Sequence, residues 1–220
     1  MGKVNLTIDQ QDVAVEAGST ILEAARTINI RIPTLCYLDL GKLKMVNKVA
    51  SCRVCVVEVA GRENLAPACA TPVADGMQVT TNSRRVLRAR RKILELLLSD
   101  HPFNCLICAK STNCELQTLA YEFGINTRPY HGSEESTYPI DKTSNALKRD
   151  PDKCILCRRC ETMCNEVQTV GVLTGFGRGF DDDDGHLIET SIGKMTGRTL
   201  AAYGRAECGV QARIVNLAFS

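Results

Sequence analysis

The chain has 220 residues and a formal net charge of +2, and it uses twelve cysteines with no tryptophan and only 5% aromatic residues. So small a charge excludes a polyanionic partner such as nucleic acid. No stretch reaches the roughly 20 apolar residues of a membrane span, the best run being Ile93-Leu94-Glu95-Leu96-Leu97-Leu98, so direct membrane insertion is excluded as well.

Residues 1–80 predict a small sheet with one helix. The segment from Met1 to Asp9 lacks the apolar run of a signal peptide, and Leu6 stands where a myristoylated chain needs Ser or Thr. A cytoplasmic, reduced chain is expected, in which close-spaced cysteines mean metal or redox chemistry. Leu6 and Ile8, then Val13 and Val15, alternate as two strands of a hairpin around a polar turn from Asp9 to Asp12. Thr20 and Glu23 form a capping box, and Ile21, Leu22, Ala25 and Ile28 mark the buried face of a helix that Ile32-Pro33 ends. Val54, Val56, Val57 and Val59 read as a strand, and Met77 to Thr80 as another. This is the element order of a beta-grasp domain.

Residues 81–124 predict a helix whose stripe is Val86, Leu87, Ile93, Leu94, Leu97 and Leu98, ending near His101-Pro102. Arg84, Arg85, Arg88, Arg90, Arg91 and Lys92 crowd it. Positive charge in a first turn opposes the helix dipole, so a local anion should offset it; a solvated face or a partner contact accounts for the rest. Residues 125–149, punctuated by Pro129, Gly132 and Pro139, read as a linker. A third module is expected over 150–220. There Asp181 to Asp184 read as a solvated loop, and Gly175, Gly177 and Gly179 as turn residues.

The cysteines fall into three groups. In the first, Cys36, Cys52, Cys55 and Cys69, one close pair sits on a loop and the last donor returns from downstream, which suits a [2Fe-2S] cluster; zinc also accepts four thiolates. The flanks, Arg-Ile-Pro-Thr-Leu-Cys-Tyr at 31–37 and Ser-Cys-Arg-Val-Cys-Val-Val-Glu-Val at 51–59, closely resemble the plant-type ferredoxin domain that opens the large iron-sulfur subunit of complex I. Fifteen residues separate Cys36 from Cys52, against four in plant-type ferredoxins, so Leu40 to Ala50 read as a loop insertion.

The second group is His101, Cys105, Cys108 and Cys114. Spacing alone fits a zinc site of three thiolates and one imidazole. In order and spacing it resembles the [4Fe-4S] motif of one His and three Cys that comes next in the complex I family and in iron-only hydrogenases. His131 and His186 lack such company and read as surface residues.

The third group, Cys154, Cys157, Cys160 and Cys164, has the spacing of a two-cluster ferredoxin, but no partner repeat follows. Cys208, in Cys-Gly-Val-Gln-Ala, faintly resembles the ending of single-cluster modules. Twelve cysteines and His101 make thirteen donors where three clusters need twelve, so Cys154, Cys157, Cys160 and Cys208 are assigned to a second [4Fe-4S] cluster, with Cys164 as the alternative fourth ligand.

The expected fold class is therefore α+β: a beta-grasp [2Fe-2S] domain, a small helical [4Fe-4S] domain and a ferredoxin-like [4Fe-4S] module. Gly177-Arg178-Gly179-Phe180 and Cys157-Arg-Arg-Cys160 look closest to the large subunit of NAD-linked, electron-bifurcating hydrogenases. The resemblance implies a non-catalytic relay ordered along the chain. Its expected partners are a flavin- and NAD(P)-binding subunit with its small [2Fe-2S] companion, and a hydrogenase or formate dehydrogenase catalytic subunit. No cysteine set is left over for a hydrogen-activating cluster, so the catalytic centre is expected on another subunit. A relay in a complex I-like enzyme and a zinc-built structural module are the alternatives.

Overall fold

The computed structural model describes residues 2–40, 50–99, 101–128, 130, 140, 150–155, 157–169, 173–175 and 192–194. Strands β1 (Lys3–Ile8) and β2 (Gln11–Glu16) pair antiparallel, with Leu6 opposite Val13 and Val4 opposite Val15. The turn is tighter than the four residues expected, because Asp9 and Gln10 both take positive φ and leave Gln11 and Asp12 inside the ladder. That pair of left-handed residues suits the twist of a hairpin. Asp9 is held there by a bond from the Thr81 N–H to its carboxylate at 2.7 Å.

Helix α1 (Ile21–Thr27) starts at the predicted capping box: the Glu23 N–H donates to the Thr20 hydroxyl at 3.2 Å, and the Thr20 N–H donates to the Glu23 carboxylate at 2.7 Å. It ends well before the predicted Ile32-Pro33 stop. Asn29 adopts φ 58°, the Asn29 N–H reaches the Arg26 carbonyl and the Ile30 N–H reaches the Ala25 carbonyl. That is a Schellman closure with asparagine in the left-handed position.

Strands β3 (Val56–Val59), β4 (Ala66–Pro67) and β5 (Met77–Thr80) complete a five-stranded sheet of order β2-β1-β5-β3-β4. The central β1-β5 pair is parallel and the others are antiparallel. A mixed sheet with a parallel central pair and α1 packed on it is the beta-grasp arrangement. Its core holds Ile8, Ile21, Leu22 and Val57, with Cys55 and Cys69 among them. Burying each large aliphatic side chain is worth roughly 1.5–3 kcal/mol.

Helix α2 (Arg84–Ser99) is capped by Ser83, whose hydroxyl accepts from the Val86 N–H at 3.2 Å. The anion expected near its basic first turn is Glu58 on β3, 3.7 Å from Arg85. The buried stripe differs from the one expected. Leu87 is exposed, and Arg90 takes the inward place between Val86 and Leu94. Arg91 and Lys92 both bond Glu95, at 2.9 and 2.7 Å.

After a 3-10 turn (Cys105–Ile107), α3 (Glu115–Glu122) packs against α2. Leu94, Leu98, Leu116, Leu119 and Ile125 form a second core, which also takes in Leu35, Cys36, Cys52 and Val54 from the first domain. The backbone then turns at Pro151–Lys153, forms α4 (Arg159–Thr162) and widens into a π-helical turn (Met163–Val167). Strands β6 (Leu173–Gly175) and β7 (Ile192–Lys194) pair antiparallel. Among the described residues no helix is long and apolar enough to cross a membrane. Most of the loop insertion and linker, with His131, Asp181 to Asp184, His186 and Cys208, lie outside the described residues.

Candidate iron-sulfur sites

Cys36 follows α1 on the loop through Leu35, Cys52 and Cys55 lie on the loop that enters β3, and Cys69 follows β4. Positive φ at Ala50 and Arg53 bends the middle loop around the pair. All four are buried, free thiols, and Cys55 Sγ lies 3.3 Å from Cys69 Sγ, contact rather than a bond. The thiols share protons unevenly. Hydrogen bonds from Cys52 and Cys69 draw the Cys36 thiol down to about 2, with burial opposing and backbone N–H groups assisting. A bond from Cys69 lowers Cys55 to about 7. Cys52 and Cys69, the donors, are pushed up by those same bonds and by burial. Four buried thiols, two of them biased to thiolate, form a donor set whose chemistry fits a bound cationic iron core.

The set is split between the two cores. Cys55 and Cys69 belong to the sheet's interior, whereas Cys36 and Cys52 belong to the helical one.

The second group begins two residues beyond α2, where the His101 N–H bonds the Leu98 carbonyl in the helix's last turn at 3.3 Å. Burial, then the charges of Lys153 and Arg128, hold the imidazole below its usual value and therefore neutral. Its Nδ1 is buried with no hydrogen-bond partner. An orphaned, neutral ring nitrogen is the state a metal-binding imidazole needs. Cys105 opens the 3-10 turn, the Cys108 N–H closes back on the Cys105 carbonyl at 3.2 Å, and Cys114 caps α3 by accepting from the Gln117 N–H at 3.5 Å. These three thiols are partly exposed. Between them Leu106 and Ile107 stand 97% and 83% exposed.

In the third group, Cys154 and Cys157 precede α4 and Cys160 lies within it. Arg158, at φ 57°, makes the bend between them. Burial pushes Cys160 up to about 12, with the Cys157 and Cys154 charges adding to it. Cys157 is raised by burial too, and the Cys36 charge reaches it from the first group. Cys114 and Cys157 both pack on the core that contains Cys36 and Cys52. Cys164, one turn beyond Cys160, is fully buried. Glu115 of α3 pairs with Arg159 of α4 at 2.5 Å, tying the second and third groups together. Among the described residues, no three His, Cys, Asp or Glu side chains converge as a single-ion site requires.

Composition alone does not separate Arg90 from its basic neighbours. The signal that does is the series Val86, Arg90, Leu94, Leu98, which runs at the four-residue step of a buried face.

Residues 2–84 match the model of a 2Fe-2S iron-sulfur cluster binding domain, and residues 90–129 that of the NADH-ubiquinone oxidoreductase-G iron-sulfur binding region, a 4Fe-4S family. The NADP-reducing hydrogenase subunit HndD of Solidesulfovibrio fructosivorans is 64% identical over 82% of this chain, and the mitochondrial NADH-ubiquinone oxidoreductase 78 kDa subunit of Candida albicans is 34% identical over 91%. The chain spans 31% and 27% of the lengths of those relatives. In the crystal structure of an NAD+-reducing [NiFe]-hydrogenase in the H2-reduced state, one chain superposes with a TM-score of 0.71 at 30% identity, covering 89% of this chain and 81% of that one. This chain thus belongs to the family of iron-sulfur subunits that NAD(P)-linked hydrogenases share with NADH oxidoreductases of the complex I type.

Proposed function

We propose that the chain relays single electrons through three clusters, from a flavin- and NAD(P)-binding subunit with a small [2Fe-2S] companion toward a hydrogenase catalytic centre outside these 220 residues. The observation that carries the proposal is the convergence of cysteines from all three groups on one apolar core, with the Cys36 charge reaching Cys157. A bound cluster supplies one-electron chemistry with little ligand movement. The chain's own task is to hold donors, exclude water and set charge.

In this reading Cys36, Cys52, Cys55 and Cys69 hold the [2Fe-2S] cluster. His101, Cys105, Cys108 and Cys114 hold one [4Fe-4S] cluster, and Cys154, Cys157, Cys160 and Cys208 a second. The domain plan follows: 1–80, 81–124, a linker at 125–149, and 150–220. Cys114 of the second group and Cys157 of the third both pack on the core that holds Cys36 and Cys52, which supports placing all three clusters close together.

Anaerobic purification should give a brown protein with about ten irons, two in a [2Fe-2S] and eight in two [4Fe-4S] clusters. Zinc in place of iron would overturn the relay. Cys208→Ser should then lower the count by about four irons while Cys164→Ser leaves it unchanged; the opposite pattern assigns Cys164 as the fourth ligand.

A further inference from the structure

Helix α2 carries six basic side chains. Arg84, Arg85, Arg88, Arg91 and Lys92 are exposed, whereas Arg90 is buried, with 4% of its surface accessible. Its Nη2 and Nε both donate to the Val56 carbonyl, at 2.9 and 3.2 Å. Val56 opens β3 and directly follows Cys55. No carboxylate among the described residues lies within ion-pair distance of Arg90.

A guanidinium so placed costs several kcal/mol of desolvation unless an anion answers it. One carbonyl dipole does not neutralise it. Burial draws the group down to about 10, still charged at neutral pH, and the charges of Cys55 and then Asp9 act in the opposite sense. Asp9 is already engaged by Thr81 through its backbone N–H and its hydroxyl. The remaining negative charge within reach is that of the cysteine set. Four thiolates around a diiron core are anionic when oxidised and one charge more negative when reduced, so a fixed cation nearby favours the reduced form.

We propose that Arg90 is the residue that raises the reduction potential of the first cluster: a buried cation supplied by the helix of the second domain and locked to the backbone of the ligand loop. The proposal rests on the assignment of that cluster to Cys36, Cys52, Cys55 and Cys69. Arg90 is a positioning residue, acting through field and through the Val56 carbonyl rather than by ligation. Arginine suits the place because it keeps its charge in apolar surroundings where lysine loses its proton.

The test is redox titration of the full chain, following the [2Fe-2S] signal by EPR with iron counted in each variant. R90M and R90Q should retain the signal and lower its midpoint by at least a tenfold change in the reduction equilibrium, about 59 mV for a one-electron couple. The [4Fe-4S] signals should move less. R88Q removes an equal formal charge from the exposed face and should leave all midpoints in place. Loaded R90M or R90Q with an unchanged midpoint, or R88Q shifting as far, overturns the proposal. If neither neutral variant loads its cluster, R90K decides. Burial lowers the pKa of its ammonium, so across the range in which that lysine loses its proton the first-cluster midpoint should fall with rising pH where wild type stays flat; a midpoint equal to wild type at every pH overturns the proposal. Absence of any [2Fe-2S] signal in wild type would instead refute the cluster assignment itself.

Discussion

Replacing Cys55 with serine should abolish the [2Fe-2S] signal and leave about eight of about ten irons in place. The Cys55 sulfur touches that of Cys69 at 3.3 Å inside the sheet's own core, so serine there both removes a soft donor and buries a hydroxyl among apolar side chains. An unsatisfied buried hydroxyl costs about 1–3 kcal/mol beyond the lost metal. Thermal unfolding should therefore start earlier in Cys55→Ser than in wild type. EPR with iron analysis checks the first expectation and scanning calorimetry the second. Retention of the signal would mean that the donor set is drawn from other cysteines. The two four-iron signals should persist, because His101, Cys105, Cys108 and the third group lie outside the sheet.

The second large effect concerns Leu94. It is fully buried where α2 meets α3, among Leu35, Val54, Leu98, Leu116 and Leu119. Truncation to alanine in such a place costs about 2–5 kcal/mol, the spread depending on how far the site collapses around the cavity. Because His101 hangs from the last turn of α2 and Cys114 caps α3, loosening their contact should also cost the His-ligated cluster. The expected result for Leu94→Ala is a depressed unfolding temperature together with a selective loss of about four irons. Leu87→Ala on the same helix, exposed and outside the core, should change neither. Equal behaviour of the two variants would mean that the second core does not hold that cluster.

What the sequence made legible was local in origin. The hairpin followed from alternation and α1 from its capping box, and cysteine spacing with its flanking residues pointed to the two regions that the 2Fe-2S and 4Fe-4S family models match. The departures share a physical source. Ile32-Pro33 reads as the end of α1, but the left-handed Asn29 closes the helix first, and that requirement is set by backbone geometry rather than hydrophobic pattern. Val54 reads as strand, yet it serves the second core from the loop before β3. Leu87 fits the apolar stripe by composition, whereas the inward position belongs to Arg90. A charge is placed inside only by what surrounds it in three dimensions, here the Val56 carbonyl and the thiols beyond. Spacing groups Cys154, Cys157, Cys160 and Cys164 as a local run, whereas a partner from outside such a run, as proposed for Cys208, leaves no trace in local spacing.

The division of the first cysteine set between two cores has a consequence for the life of the chain. Cys55 and Cys69 are fixed by the sheet, Cys36 and Cys52 by the helices, so under the proposed assignment an iron core bound across them would join the two cores through metal as well as through Leu35 and Val54. Iron loading would then add to the cohesion of the two cores, and its loss would be read as a lower unfolding temperature.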